Sequence, residues 1–232
     1  MLQSFNRVLN SVFQAQDGKI GHLDDMLFDE QSWVVRYLVV KTGGFLSRER
    51  VLISPLGVAE FNWGNNSVDL HLTKKQIEES PDVDADEPVF RQMEKRYFDY
   101  YRWPYYWSDV GIWGVGSRNP MMTGSQVDPK KPKESAKIEG DPCLRSCREV
   151  GKYSVASDRA GIGRVQDFLL EEGTWLVRDL VVETKAWWHS EPLLVEPKSV
   201  QSIDWANRQI KLNLTKRELY TDYGPNVSSN AS

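Results

Sequence analysis

Apolar positions along this chain fall into short runs, and the runs occur twice. Residues 33–42 read WVVRYLVVKT and residues 175–184 read WLVRDLVVET, an offset of 142 positions. Each is apolar and β-branched with one charge inside it, the pattern of a buried strand. Upstream, Ile20 to Asp29 and its counterpart Ile162 to Glu171 predict a strand that begins at a glycine and ends in an acidic turn. Ile20, Leu23 and Leu27 are its candidate core positions, and the imperfect alternation predicts a bulge or sharp bend. Val51-Leu52-Ile53 and Leu193-Leu194-Val195 predict a short strand closed by Pro55 and Pro197. Val58, Phe61 and Trp63 align with Val200, Ile203 and Trp205 and lead into turns at 64–66 and 206–208. Val68, Leu70 and Leu72, like Ile210, Leu212 and Leu214, then alternate with polar residues as a half-buried antiparallel strand does. Thr73 with Gln76, and Thr215 with Glu218, carry the spacing of a helix capping box.

The same offset holds without a gap from residue 2 to about residue 77 and from 144 to about 219. Leu2, Ser4 and Val8 match Leu144, Ser146 and Val150. This is an internal duplication. Each copy predicts about six short strands and a brief terminal helix, and a small closed or half-closed barrel would dispose of the edges of so short a unit. The expected division is 1–80 for the first domain, 81–142 for a connecting segment, 143–223 for the second domain and 224–232 for a disordered tail. Within the connector, 78–88 is acidic and proline-punctuated, a short helix fits within 89–101, and 120–141 is polar with four lysines.

Composition adds little specificity. Of 232 residues, 40% are hydrophobic and 27% charged, which suits two modest cores. With 29 basic and 33 acidic residues the net charge is −4, giving no general attraction to nucleic acid or to an anionic membrane. No apolar run reaches the length of a membrane span, no secretory signal is evident at the N-terminus, and a cytoplasmic location is expected.

Candidate chemistry is sparse. His22, His71 and His189 do not repeat between the copies, so a symmetric metal site is excluded. Cys143 and Cys147 are four apart, not a zinc spacing, and Cys147 aligns with Phe5, which favours packing. Asp25 and Asp167 are equivalent; each reads as a turn cap or the partner of a base, with shared proton chemistry only on close approach. Arg36 and Arg178 are expected at a rim or surface, with a buried pairing to Asp25 or Asp167, or a ligand role, as alternatives. The glycine-rich stretch 111–116 is no dinucleotide fingerprint, because no βαβ pattern surrounds it. No cofactor and no catalytic set is expected.

The sharpest feature is YFDYYRWPYYW, residues 97–107. Tyr97, Phe98, Tyr100, Tyr101, Trp103, Tyr105, Tyr106 and Trp107, with Trp187 and Trp188 in a loop that diverges between the copies, form a candidate interaction surface. The segment could instead cover an open sheet edge, wedge between the two copies, or line a pocket for a small apolar ligand. As a stacking platform for nucleic acid it is weak, since Asp99 and Asp109 oppose Arg96 and Arg102.

One resemblance is specific. Residues 18–25, GKIGHLDD, followed by 33–40, WVVRYLVV, resemble the PRC-barrel family, and so do residues 160–167 with their downstream strand. The second copy departs at Arg159-Ala160-Gly161, where the first has Asp17-Gly18. The family is named for the cytoplasmic domain of the photosynthetic reaction-centre H subunit and includes the C-terminal domain of the ribosome-maturation factor RimM. The resemblance implies an all-β fold of two small PRC-type barrels, each with a short C-terminal helix. It makes Gly21, Asp25, Trp33, Arg36, Pro55 and Trp63, with Gly163, Asp167, Trp175, Arg178, Pro197 and Trp205, structural positions of the repeat. It also implies an interaction or scaffold module that binds a protein partner or itself, a homo-oligomer included, rather than an enzyme. A ligand carrier or enzyme with a pocket between the barrels is the alternative.

Overall fold

The computed structural model describes residues 1–44, 47–62, 64–81, 91–107, 144–157, 160–184 and 192–214. Trp63, Cys143, Trp187, Trp188, His189 and the second capping box at Thr215 lie outside them.

The first copy supplies β1 (Leu2–Ser4), α1 (Phe5–Val8), β2 (Val12–Ala15), β3 (Gly18–Asp29), β4 (Val35–Lys41), β5 (Arg50–Ile53), β6 (Val58–Asn62), β7 (Ser67–Leu70) and α2 (Lys74–Glu78). Helix α3 (Arg91–Tyr101) follows. The second copy supplies β8 (Leu144–Ser146), α4 (Cys147–Val150), β9 (Ser154–Ser157), β10 (Ala160–Glu171), β11 (Val177–Thr184), β12 (Leu193–Val195), β13 (Val200–Asp204) and β14 (Gln209–Leu212).

These strands make two seven-stranded sheets. One has the order β5-β4-β3-β2-β7-β6, the other the matching order β12-β11-β10-β9-β14-β13. Neighbours are antiparallel except β2 with β7 and β9 with β14, which are parallel. Among the described residues the strand path in each sheet runs open from one end to the other, a strongly bent sheet rather than a fully closed ring.

The bend is built into β3 and β10. Each has 12 residues, pairs through its first half with one neighbour, and continues along another. Register shifts fall between Leu23 and Asp25, and between Val165 and Asp167. Here the bulge expected from imperfect alternation is realised. Asp25 and Asp167 sit at the bulges and accept the N–H of the next residue, Met26 at 2.7 Å and Phe168 at 2.8 Å. Gly21 and Gly163 lie where the bent strand meets its neighbour. A Cβ on either would collide with backbone carbonyl oxygen, that of Lys41 or of Glu183.

The tryptophan that opens each repeat is not a strand residue. Trp33 and Trp175 take positive φ, 57° and 61°. Each completes the turn before a strand that starts two residues later. The first turn is tied by Asp29, whose carboxylate accepts from Gln31 N at 2.9 Å and whose carbonyl accepts from Trp33 N at 2.7 Å. The Trp33 ring stacks on Phe28 at 5.1 Å, so burial of the ring offsets the cost of the left-handed backbone. Pro55 and Pro197 likewise open a 3-10 turn instead of ending a strand.

The chain divides into two units, and each takes residues from both copies. One unit comprises Met1–Arg7, Ser146–Glu172 and Leu176–Ser232; the other comprises Val8–Arg145 and Gly173–Trp175. Strand β1 pairs antiparallel with β10, Leu2 opposite Glu171 and Ser4 opposite Leu169. Strand β8 pairs with β3. In the unit holding β10, Ser4 Oγ donates to Asp167, Asn6 N donates to Asp167 Oδ1 at 3.0 Å, and Phe5 packs edge-on against Phe168. In the unit holding β3, Arg145 Nε meets Glu30 at 2.8 Å.

Two outcomes follow. Deleting residues 1–7 should destabilise the unit that holds β10 and leave the other nearly unchanged. Hydrogen exchange resolves this: protection should fall across β10 and β11 while β3 and β4 keep theirs. Gly21→Ala and Gly163→Ala should each cost about 3 kcal/mol, because the added methyl has to displace backbone rather than a flexible side chain. Denaturant titration reads that loss directly.

Candidate functional site

Polar groups and aromatic rings converge on α3 and the ten or so residues around its C-terminus, in the unit that holds β3. The helix ends in a Schellman motif with arginine where glycine is usual. Arg102 takes φ 57°, Arg102 N donates to Asp99 O at 3.2 Å and Trp103 N to Phe98 O at 3.0 Å. The chain then folds back as a strap, residues 103–107.

Tyr97 and Phe98 are fully buried. The Tyr97 hydroxyl donates to Leu52 O at 2.9 Å and accepts from Ser54 N at 3.2 Å, so it satisfies two backbone groups at the end of β5. Its ring meets Tyr37 edge-on at 5.7 Å. Phe98 lies at the centre of the strap, within 6.4 Å of the rings of Trp103, Tyr105, Tyr106 and Trp107. Arg48 fixes the nearby C-terminus of α2, donating from Nη2 to Ile77 O at 2.8 Å and Glu78 O at 2.7 Å.

Beneath the strap is a buried carboxylate. Glu94, in the first turn of α3, is inaccessible to solvent, and its Oε1 accepts from Tyr37 Oη at 2.9 Å and Tyr106 Oη at 2.7 Å. The Arg36 guanidinium lies 4.0 Å from the Tyr106 ring centroid, and its Nη2 donates to Ser32 Oγ at 3.1 Å and meets Asp29 at 3.6 Å. Burial pulls the Arg36 guanidinium below its ordinary value, against the attraction of Tyr106, Asp29 and Glu94. Burial, with Glu94 beside it, holds the Tyr37 hydroxyl well above the ordinary tyrosine range. Tyr97 is raised in the same way, by burial first.

Arg36 therefore differs from the expected rim arginine, and it pairs with Asp29 rather than Asp25. It is buried because α3 and the strap cover it. Arg178, its equivalent, keeps the expected exposure and pairs with Glu171 at 2.8 Å.

The sequence-predicted aromatics divide by depth. Tyr97, Phe98 and Tyr106 face inward. Tyr100 is 37% exposed. Tyr101, Trp103, Tyr105 and Trp107 are half-buried and form two stacked pairs, Tyr101 on Trp103 at 4.4 Å and Tyr105 on Trp107 at 4.9 Å. The Tyr105 hydroxyl also bonds to Asp99. Of the other repeat positions, Trp175 lies 6.4 Å from Phe61 and Trp205 meets Tyr153 edge-on. Cys147 is buried, in the place Phe5 takes in the other copy.

Glu94 and Tyr37 escaped the sequence reading, and one signal for them was present. Tyr37 aligns with Asp179, the single large apolar-to-acidic difference within the repeated strand, and it lies on the face that α3 covers.

Through Tyr37 and Tyr106 the cluster ties α3 and the strap to β4. Both hydroxyls point their protons at one carboxylate oxygen, and the carboxylate lies behind the strap. Among the described residues no group of three or more His, Cys, Asp or Glu side chains could hold a metal ion. Nor, among them, is any helix long and apolar enough to cross a membrane.

Residues 10–77 match the family model of the PRC-barrel domain. The chain thus carries one PRC-barrel domain, and the duplicated sheet is consistent with a tandem arrangement. No curated protein matches the chain. The matched span starts at Asn10, after β1 and α1, and ends at Ile77 in α2, so α3 and the strap lie beyond the PRC-barrel domain.

Alkaline pH should loosen the strap. Raised tyrosine pKa values give stability that is complete below pH 10, the ordinary tyrosine value, and lost as pH climbs through the folded-state values, about 12 for Tyr101 and likewise well above the ordinary range for Tyr37. Each such group contributes a slope of about 1.4 kcal/mol per pH unit in that window. Tyr37→Phe should cost roughly 1–3 kcal/mol at neutral pH, since Glu94 loses a donor, and should flatten the alkaline slope. Thermal unfolding followed from pH 7 to 12 checks both.

Proposed function

We propose that this chain is a non-enzymatic protein-interaction or scaffold module of the cytoplasm, built from tandem PRC-type barrels at 1–80 and 143–223. The connector 81–142 gives it its specificity, and 224–232 is a tail. One observation carries the reading: the half-exposed stacked pairs Tyr101–Trp103 and Tyr105–Trp107, next to exposed Tyr100, are anchored from below by Tyr97, Phe98 and Glu94. Aromatic side chains already fixed in one arrangement lose little freedom on binding, and they are the side chains on which interface energy concentrates.

The matched domain model supports the same reading, because the resemblance it rests on is to interaction modules rather than enzymes. The partner is a protein, another chain or a second copy of this one. Nucleic acid fits poorly, since exposed Asp99 lies between exposed Arg96 and Arg102. Trp187 and Trp188, in the divergent loop of the second copy, would extend the contact.

Tyr100→Ala combined with Trp107→Ala removes two rings from the outer layer and leaves Tyr97, Phe98 and Glu94 in place. The pair should weaken partner binding by about 2 kcal/mol or more, some thirtyfold, while the loss of Trp107 from the face of Phe98 lowers the unfolding temperature without unfolding the strap. Quantitative affinity capture from native extract, wild type beside the variant, measures it. Equal recovery by two equally folded proteins would sink the assignment.

A further inference from the structure

Reciprocal strand exchange has a consequence for assembly. Strand β1 leaves the sheet of its own copy for β10, and β8 of the second copy pairs with β3 of the first. The exchanged segments are equivalent, Leu2-Gln3-Ser4-Phe5 against Leu144-Arg145-Ser146-Cys147. Their partners are equivalent too. Ser4 and Ser146 cap the helices that follow, accepting from Arg7 N at 3.1 Å and Glu149 N at 2.9 Å. Phe5 and Cys147 are both buried. Glu172 N donates to Met1 O at 2.9 Å, continuing the β1 contact past the end of β10.

We infer that a second copy of this chain can supply the exchanged strands, giving a dimer in which the first copy of one chain pairs with the second copy of the other. Every strand contact in that dimer is one the single chain already makes. The two forms therefore differ only in how the paired copies are connected. Within one chain the two copies are covalently joined, so their pairing is intramolecular and governed by an effective concentration. Between chains, protein concentration takes its place, so the dimer grows as that value is approached. Such exchange is a low-cost route to dimers. Passage between the forms requires β1 and β8 to detach first, so a dimer once formed persists on dilution. The inference rests on the strand pairing and extends the self-association side of the proposed function without using the aromatic surface.

Two chains, each with Cys143→Ser and Cys147→Ala, test it. One carries Leu2→Cys and the other Glu171→Cys, positions directly opposed in the β1–β10 register, the first exposed and the second partly so. A third chain carrying both must first close an internal disulfide, which shows that the altered strands still pair. If it does not, the Gln3→Cys and Leu170→Cys pair takes its place. Failure of both pairs overturns the inference.

The single-cysteine chains are then mixed at about 1 mM, warmed briefly toward unfolding, cooled and oxidised. The expected result is a covalent heterodimer on a non-reducing gel, at least tenfold above that formed by Leu2→Cys mixed with Leu194→Cys, an exposed position on β12 that does not face β1. A yield no greater than that control overturns the inference. Adding Tyr100→Ala and Trp107→Ala to both chains should leave the yield unchanged, so this result and the aromatic-surface reading stand or fall separately.

Discussion

Backbone of β3 comes so close to the Lys41 carbonyl that position 21 has no room for a side chain. The second copy repeats the constraint at Gly163 against Glu183. Much else follows from this close approach. It lets one long strand serve two neighbours and bend between them, so a short sequence wraps its sheet part-way around its own core. Bending forces a bulge, and an aspartate at the bulge accepts the N–H that the interrupted ladder leaves behind. Past the bend, the C-terminal half of β10 runs on and offers a free edge. The first strand of the other copy fills that edge.

The two units share this frame and differ in what lies on it. Strand β4 is buried at six consecutive positions, whereas β11 alternates between buried and open ones. Leu52 is 4% exposed and its equivalent Leu194 is 42% exposed. Helix α3 and its strap account for the difference. Covering one face of β4 turns a position that is aspartate in the second copy into a tyrosine, and turns a surface arginine into a buried one that needs a carboxylate, a hydroxyl and an aromatic ring around it. Burying Glu94 is costly in itself. Two tyrosine hydroxyls offset that cost, and they fix α3 at one position on the sheet. Specificity of placement is what such a buried polar network provides here.

Duplication and strap thus have separate roles. Repetition makes two matching sheets, each with one edge covered by a strand from the other copy. The strap lies outside the PRC-barrel domain and supplies the aromatic layer of the unit that holds β3. A fold of this kind carries function through what is attached to it.

The repeat, the strand periods, the bend in β3, the capping box at Thr73 and the helix within 89–101 were all legible in the sequence. Each is governed by local rules: which side chains alternate, where glycine or proline is required, what can cap a helix. Even the aromatic density of 97–107 stood out. Which rings turn inward was not legible, because YFDYYRWPYYW has no single period, and depth there depends on the sheet beneath. Trp33 and Trp175 read as strand residues by composition, yet the turn holds them at positive φ. Partner choice was also hidden. Leu2 to Ser4 matches Leu144 to Ser146 so closely that pattern alone cannot say on which sheet either strand lies. Local sequence fixes the kind of element; only the packed chain decides which of two equivalent edges an element joins, and which carboxylate a buried arginine finds.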